Sequence, residues 1–322
     1  MITQAASPTG FPTKWGSEAA DYQMDPDIVN NTAYKSTIKD DLKSIPTMSL
    51  VMSLTDLFNT STGIYSNPTK SGVAWERPGS IELIFHDTSE GIQINCGVRM
   101  YGDVGRSSQY KKHAFRVLFK SIYGSSKLRY PLFGQDAAQE FDTLILRSNF
   151  NDAYMWDSSS SAQFIRDEYS RRLQLVLGTP SSHGLFVHLY INGLYWGLYN
   201  PVERPDSSFG AAYFGGDKED WDAYNSGTAT GGGSMASWNS MLTAVRKGVS
   251  TNDAYQKLQG NNSDGTPNSA YTDWIDAENY ITYLVANFFL GNTDWPHKNY
   301  YASINRVNPD GFKFFTDRKS VV

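Results

Sequence analysis

The sequence predicts an α+β protein of two lobes, with an antiparallel-sheet lobe first and a mainly helical lobe after it. Three observations carry this. Short β-type runs, SIELIFH, IQINCGVRMYG and HAFRVLFK, follow one another between Ser80 and Phe119, with glycine-bearing turns between them. GLFVHLYINGLYWGLYNPVE reads as two strands joined by Asn192-Gly193, the composition favoured by a tight type I′ turn. In the second half, DWIDAENYITYLVANFFLG has the length and nearly all-round apolar surface of a helix buried in a helical lobe, with Asp273 as candidate N-cap and Gly291 just past its end.

Taken in order, residues 1–30 are rich in Pro, Gly, Ser and Asp without a sustained period, and read as a linker or the end of an upstream region. The domain then runs over 31–322, divided into a sheet-rich lobe with its hinge hairpin at 31–203 and a helical lobe at 204–322. TAYKSTIKDDLKSI suggests a short helix and TMSLVMSL a strand. In HAFRVLFK, Phe115, Val117 and Phe119 share a core face, while Lys112, Ala114, Arg116 and Leu118 share the other. AQFIRDEYSRRLQLVLG places Phe164, Ile165, Tyr169, Leu173, Val176 and Leu177 near a helical period, and Gly178 is a natural stop. Ser158 to Ser161 read as a loop and helix cap rather than a nucleophile, since no G-x-S-x-G surrounds them. Residues 204–234 read as a loop, and ASWNSMLTAVRKG as a helix.

With 322 residues and 40 % apolar content, the chain can fill a sizeable core. The single Cys96 forms no intramolecular disulfide and belongs to no zinc-like spacing, so burial as a small apolar residue is expected. No apolar run is long enough to span a membrane, and MITQAASPTG lacks the regions of a signal peptide, so a soluble chain is expected. The abundance of aromatics, Ser, Thr, Asn and Gly is common on exported proteins. A net charge of −5 argues against nucleic acid as a partner. Between Val98 and Tyr130, however, Arg99, Arg106, Lys111, Lys112, Arg116, Lys120, Lys127 and Arg129 face Asp103 alone. This island suits an anionic ligand such as a polyphosphate, or else is a solvated strand face.

The chemistry concentrates after the last helix. In Asp294-Trp-Pro-His-Lys-Asn299 a carboxylate and an amide stand five positions apart, the D-x-x-x-x-N spacing with which protein kinases place a proton-accepting Asp and a metal-binding Asn. An ordinary turn has the same composition. YYASIN and GFKFFT flank RVNPDG and should form a hairpin; pairing Asn305 with Phe312 sets Asp317 opposite Tyr300, next to Asn299. Asn299 and Asp317, completed by water and phosphate oxygens, would suit Mg²⁺, with a solvated strand-end Asp317 as the alternative. GDVGRSSQYKK resembles in outline a phosphate-facing loop that ends in Lys111 or Lys112, and Glu203 could pair with one of those lysines or sit near an adenine, or else is a plain surface carboxylate.

The ordered set IPTMSLV, GIYSNP, WERPGSIELI, CGVRMYG, KKHAFRVLFKSIYG, LRSNFND, FIRDEY, VHLYINGLYWGLYNPVERPD and NTDWPHKNYY resembles the CotH family of spore-coat, atypical protein-kinase-like enzymes over about Asp25 to Asp317. The resemblance implies an atypical protein-kinase-like two-lobed fold that uses ATP with Mg²⁺, or Mn²⁺ in its place, to phosphorylate a protein substrate with Ser-rich segments. It implies Asp294 as catalytic residue, Asn299 and Asp317 as metal ligands, and Lys111, Lys112 and Glu203 as nucleotide-binding residues. The implied setting is the bacterial cell or spore surface. The family presents Trp-Asp where this chain has Thr316-Asp317, and the sequence stops at Val322, so a domain lacking its carboxy-terminal part is expected. The rival expectation is a non-catalytic binding or structural module of a larger exported surface protein, with a pseudokinase between the two.

Overall fold

The computed structural model describes residues 4–155, 162–231, 233–293 and 295–317; the Ser158 to Ser161 segment lies outside the described residues. The chain divides into two compact units. Met1–Phe164 with Gly184–Glu203 form one, and Ile165–His183 with Arg204–Val322 form the other.

In the first unit, seven strands close into a barrel: β1 (Thr47–Met52), β2 (Arg77–Ile84), β3 (Ile92–Tyr101), β4 (Ala114–Leu118), β5 (Thr143–Arg147), β6 (Val187–Ile191) and β7 (Leu194–Val202), in the spatial order β6-β7-β5-β4-β3-β2-β1. Every neighbouring pair is antiparallel except the closure, where β6 runs parallel to β1 from His188↔Thr47 to Ile191↔Leu50. This overturns the antiparallel-sheet lobe of a two-lobed kinase-like fold expected from the sequence: the strands form a closed barrel with one parallel pairing. The strand pattern is right, but alternation says nothing about whether the two edge strands meet. Closure removes both exposed edges.

Alternation fills the interior. Met48, Leu50 and Met52 of β1 are buried while Val51 is exposed, and Phe115 and Val117 of β4 are buried with Leu144, Leu146, Leu189 and Trp196 from its neighbours. Cys96 lies in the same core, where burial pushes its thiol up to about 12. Asn192 and Gly193 take φ of 49° and 83°, as the type I′ turn requires. The Asn192 side chain adds a second function: its Oδ1 accepts from Met52 N at 2.8 Å and its Nδ2 donates to Met52 O at 2.8 Å. One amide thus extends the β6–β1 closure past the ladder. Trp15 and Tyr22, before the first barrel strand, are also packed into this core.

The basic island does not form one patch. Glu76 collects Arg99 (Nε to Oε2, 2.6 Å), Lys120 (Nζ to Oε1, 2.7 Å) and the Tyr123 hydroxyl (2.9 Å). Lys127 and Arg129 pair with Glu140, and Arg106 donates to the carbonyls of Thr69 and Lys70. Gly97 makes room for the Glu76 cluster, because a Cβ there would lie 2.5 Å from the Tyr123 ring and 2.8 Å from Glu76 Oε1.

The second unit is built on a five-stranded mixed sheet. Its elements are α1 (Arg166–Val176), α2 (Ser207–Phe214), β8 (Trp221–Asn225), β9 (Thr228–Thr230), α3 (Ala236–Val245), α4 (Asn252–Leu258), β10 (Asp273–Ile275), α5 (Ala277–Phe289), β11 (Tyr300–Asn305) and β12 (Asp310–Thr316). The strand order is β9-β8-β11-β12-β10, with β10 parallel to β12. The mainly helical lobe of a kinase-like fold is therefore not what forms. The expected loop over 204–234 contains a helix and the β8–β9 hairpin. Its signal was hidden because Trp221, Asp222, Ala223 and Tyr224 are all buried, so β8 shows no alternation. Asp222 is a buried carboxylate that accepts from Ser234 N, Ser237 Oγ and Arg306 Nη1.

Both strong helices form, with corrections. α5 starts after Asp276, whose Oδ1 accepts from Asn279 N at 2.9 Å; the expected cap Asp273 belongs to β10. Tyr283 and Ala286 are buried, but Ile281, Val285, Phe288 and Phe289 are exposed, so the helix is not buried all round. In α1 the apolar stripe is the outer one: Tyr169 and Val176 are exposed, whereas Asp167, Glu168, Ser170, Arg171 and Gln174 are buried. Arg171 pairs with Asp167 and, at 2.6 Å, with Glu168, which lets this polar face leave water.

The Glu76 cluster gives a test. Burial raises the Glu76 pKa, but the hydrogen bonds from Lys120, Tyr123 and Arg99 together outweigh it and hold the carboxyl below its usual range. A depressed folded pKa contributes stability above the unfolded pKa of about 4.3 that is lost as pH falls through the folded value. Glu76→Gln is expected to cost roughly 3 kcal/mol at pH 7, by analogy with breaking a buried ion pair. In urea titrations the difference from wild type should shrink below about pH 4; a difference that stays constant with pH would exclude the charged pairing as its source.

Candidate catalytic and metal-binding site

The hairpin of β11 and β12 builds the site. Its ladder runs Tyr300↔Thr316, Tyr301↔Phe315, Ala302↔Phe314 and Ser303↔Lys313, one residue away from the predicted register. Asp317 is thus not the partner of Tyr300; it follows Thr316 as Asn299 precedes Tyr300, so the two flank the last pair of the ladder. Two local features move the pairing. Asn305 Oδ1 accepts from Val307 N and Asn308 N at 2.9 Å each, which folds the turn early, and Gly311 enters β12 with φ of +85°.

Asn299 sits just before β11 in the left-handed region, with φ of +59° and only 7 % exposure. Its N–H donates to Ser226 Oγ at 3.1 Å. Ser226 and Gly227, with φ of +50° and +76°, form the two-residue turn between β8 and β9, and Ser226 N donates to Tyr300 O at 2.9 Å. The tight turn therefore pins both residues at the start of β11. Nothing in the predicted 204–234 loop pointed to this contact, although N-S-G-T is a turn-forming tetrapeptide.

Asp317 is 1 % exposed at the end of β12. Burial is the main reason that the Tyr283 hydroxyl is pushed well up, and the charge of Asp317 adds to the shift. Tyr283 is held by the Trp295 indole, which donates to its hydroxyl, and Trp295 also meets Phe288 edge-on at 5.5 Å. The loop is thereby fastened to α5. Before it, Asn292 Nδ2 donates to Asn287 Oδ1 at 2.8 Å, while the buried Asn292 Oδ1 has no hydrogen-bond partner among the described residues. Asp294 itself lies outside the described residues.

Among the described residues, no group of three or more His, Cys, Asp or Glu side chains gathers as a metal site. An amide oxygen from Asn299 and a carboxylate from Asp317 are nonetheless hard oxygen donors of the kind that suit a magnesium-like ion retaining several waters. The donor chemistry fits.

The remaining candidates belong to the barrel unit. Lys111 Nζ donates to Ala19 O, and its carbonyl accepts from the Tyr65 hydroxyl at 2.6 Å. Lys112 Nζ lies 4.6 Å from the ring centre of Trp196 and 5.8 Å from that of Trp15, and burial lowers its pKa to about 8. Glu203 follows β7 and is buried.

A family model described as CotH kinase protein matches residues 98–314, a span that includes Lys111, Lys112, Glu203, Asp294 and Asn299 and stops short of Asp317. No curated protein matches the chain. Among the described residues, no helix is long and apolar enough to cross a membrane.

The left-handed backbone at Asn299 separates two substitutions. Glycine tolerates that conformation and alanine does not, so Asn299→Ala should lose about 1 kcal/mol more stability than Asn299→Gly, measured by urea unfolding. Equal losses would show that the side chain, rather than the backbone conformation, is what the fold requires.

Proposed function

Because this chain belongs to the CotH kinase family, we propose that it is a phosphotransferase that moves the terminal phosphoryl group of ATP to seryl hydroxyls of a partner protein with Ser-rich segments. What supports this most directly is the ladder that ends at Tyr300↔Thr316, with Asn299 just before its last pair and Asp317 just after it. Asp294 is the proposed base: it accepts the hydroxyl proton as the seryl oxygen bonds to the γ-phosphorus and the bridging bond to the β-phosphate breaks. Asn299 and Asp317 are the proposed ligands for Mg²⁺ or Mn²⁺. When bound, that ion neutralises charge on the phosphate oxygens.

For nucleotide contact the proposed residues are Lys111 or Lys112, and Glu203. Lys111 is the better phosphate partner of the two, since the Lys112 ammonium is already covered by two indole faces. The proposed setting, on family grounds, is the bacterial cell or spore surface.

Incubation with γ-labelled ATP and Mg²⁺ or Mn²⁺ should label the protein itself or a Ser-rich peptide. Asp294→Ala should lower that labelling about 100-fold or more, the scale of a lost general base. Equal labelling by the variant would remove Asp294 from the mechanism. Absence of any nucleotide-dependent thermal shift in the parent protein would favour a non-catalytic binding module.

A further inference from the structure

We infer that Gln174 and Asn279, two buried helix amides with no part in the D-x-x-x-x-N motif, are positioning residues that fix Asp317 for metal binding. The inference rests on the reading of Asn299 and Asp317 as ligands, and it starts from a gap in the sheet. β10 pairs with β12 only at Asp273↔Asp310 and Ile275↔Phe312, and then ends. β12 continues to Thr316 with its outer edge buried and, among the described residues, without a neighbouring strand.

The two helices fill that edge. Phe314 N donates to Asn279 Oδ1 at 2.6 Å, and Asn279 Nδ2 donates back to Phe314 O at 3.4 Å. Gln174 Nε2 donates to the same carbonyl at 2.8 Å, while its Oε1 accepts from Thr316 N at 2.8 Å. Thr316 Oγ1 reaches Ser170 O at 3.4 Å. Gln174 is fully buried and Asn279 nearly so. Each amide offers a donor and an acceptor to the strand, as a neighbouring backbone would. Gln174 holds the N–H of Thr316, the residue immediately before Asp317, so a small displacement of Thr316 moves the carboxylate relative to Asn299. Partners one shell behind a metal ligand typically change affinity by about 10- to 100-fold.

The full chain is titrated with Mn²⁺, read by electron paramagnetic resonance, as wild type, Asp317→Asn, Gln174→Glu and Gln174→Met, with circular dichroism confirming the fold. Exchange of the Thr316 and Phe314 amides is followed in parallel. Asp317→Asn should abolish the tight site, Gln174→Met should weaken it about tenfold, and Gln174→Glu, which keeps the acceptor for Thr316 N, should fall between. Thr316 exchange should accelerate in Gln174→Met while Phe314, still held by Asn279, stays protected.

A folded Gln174→Met protein with parental Mn²⁺ affinity overturns the positioning role and leaves the metal assignment standing. Parental affinity in Asp317→Asn overturns the metal assignment and the positioning role with it. That case is recognised because Thr316 exchange still responds to Gln174→Met. If Gln174→Met does not fold, Gln174→Glu carries the same decision through its Mn²⁺ affinity.

Discussion

A buried peptide group left without a hydrogen-bond partner costs about 1–3 kcal/mol, and β12 would leave several of them along the edge where β10 has ended. The second unit meets this requirement with side chains rather than a strand, through Asn279 from α5 and Gln174 from α1. The consequence spreads outward. If Gln174 and Ser170 must reach the sheet, the polar side of α1 has to face inward, and Asp167, Glu168 and Arg171 are carried with it. Their mutual pairing keeps that burial tolerable.

This explains why helical periodicity located α1 but misread its orientation. The stripe of Ile165, Tyr169, Val176 and Leu177 is real as a pattern, and it lies on the exposed side. Hydrophobic periodicity reports what a helix can bury, whereas the edge of β12 determines what this helix does bury. The same limit applies to β8, where a buried Asp222 breaks the apolar run that a sequence reading looks for. Asp222 holds Ser234, Ser237 and Arg306 together, which identifies it as a structural anchor only once the fold is known.

The barrel was more legible, for a local reason. Asn192-Gly193 encodes its turn by backbone preference alone, and each strand declares itself by alternation over a few residues. Closure was not legible, because the β6–β1 pairing joins segments about 140 positions apart in sequence. The Asn192 amide that stitches across to Met52 serves both the turn and the closure. The basic island was legible as composition and misleading as a surface. Glu76 lies outside it in sequence, yet gathers two of its cations and a tyrosine.

At the candidate site, composition supplied the residues and the hairpin, while the register depended on the Asn305 turn and on one glycine. A one-residue slip in a β ladder exchanges which side chains share a face, so the difference between Asp317 and Thr316 as the partner of Tyr300 is a difference of site and not of detail. Gly311 sits so close to the end of β10 that a Cβ would fall 2.2 Å from Asp276 N and 2.6 Å from Ile275 C. Asp276 in turn caps α5 through Asn279 N and pairs with Lys313 Nζ at 2.8 Å. The start of α5, the entry of β12 and the register that ends at Tyr300↔Thr316 are therefore set by the same few contacts. A side chain at 311 would force that strand away from the helix cap, and the pairing that defines the candidate site would be lost with it.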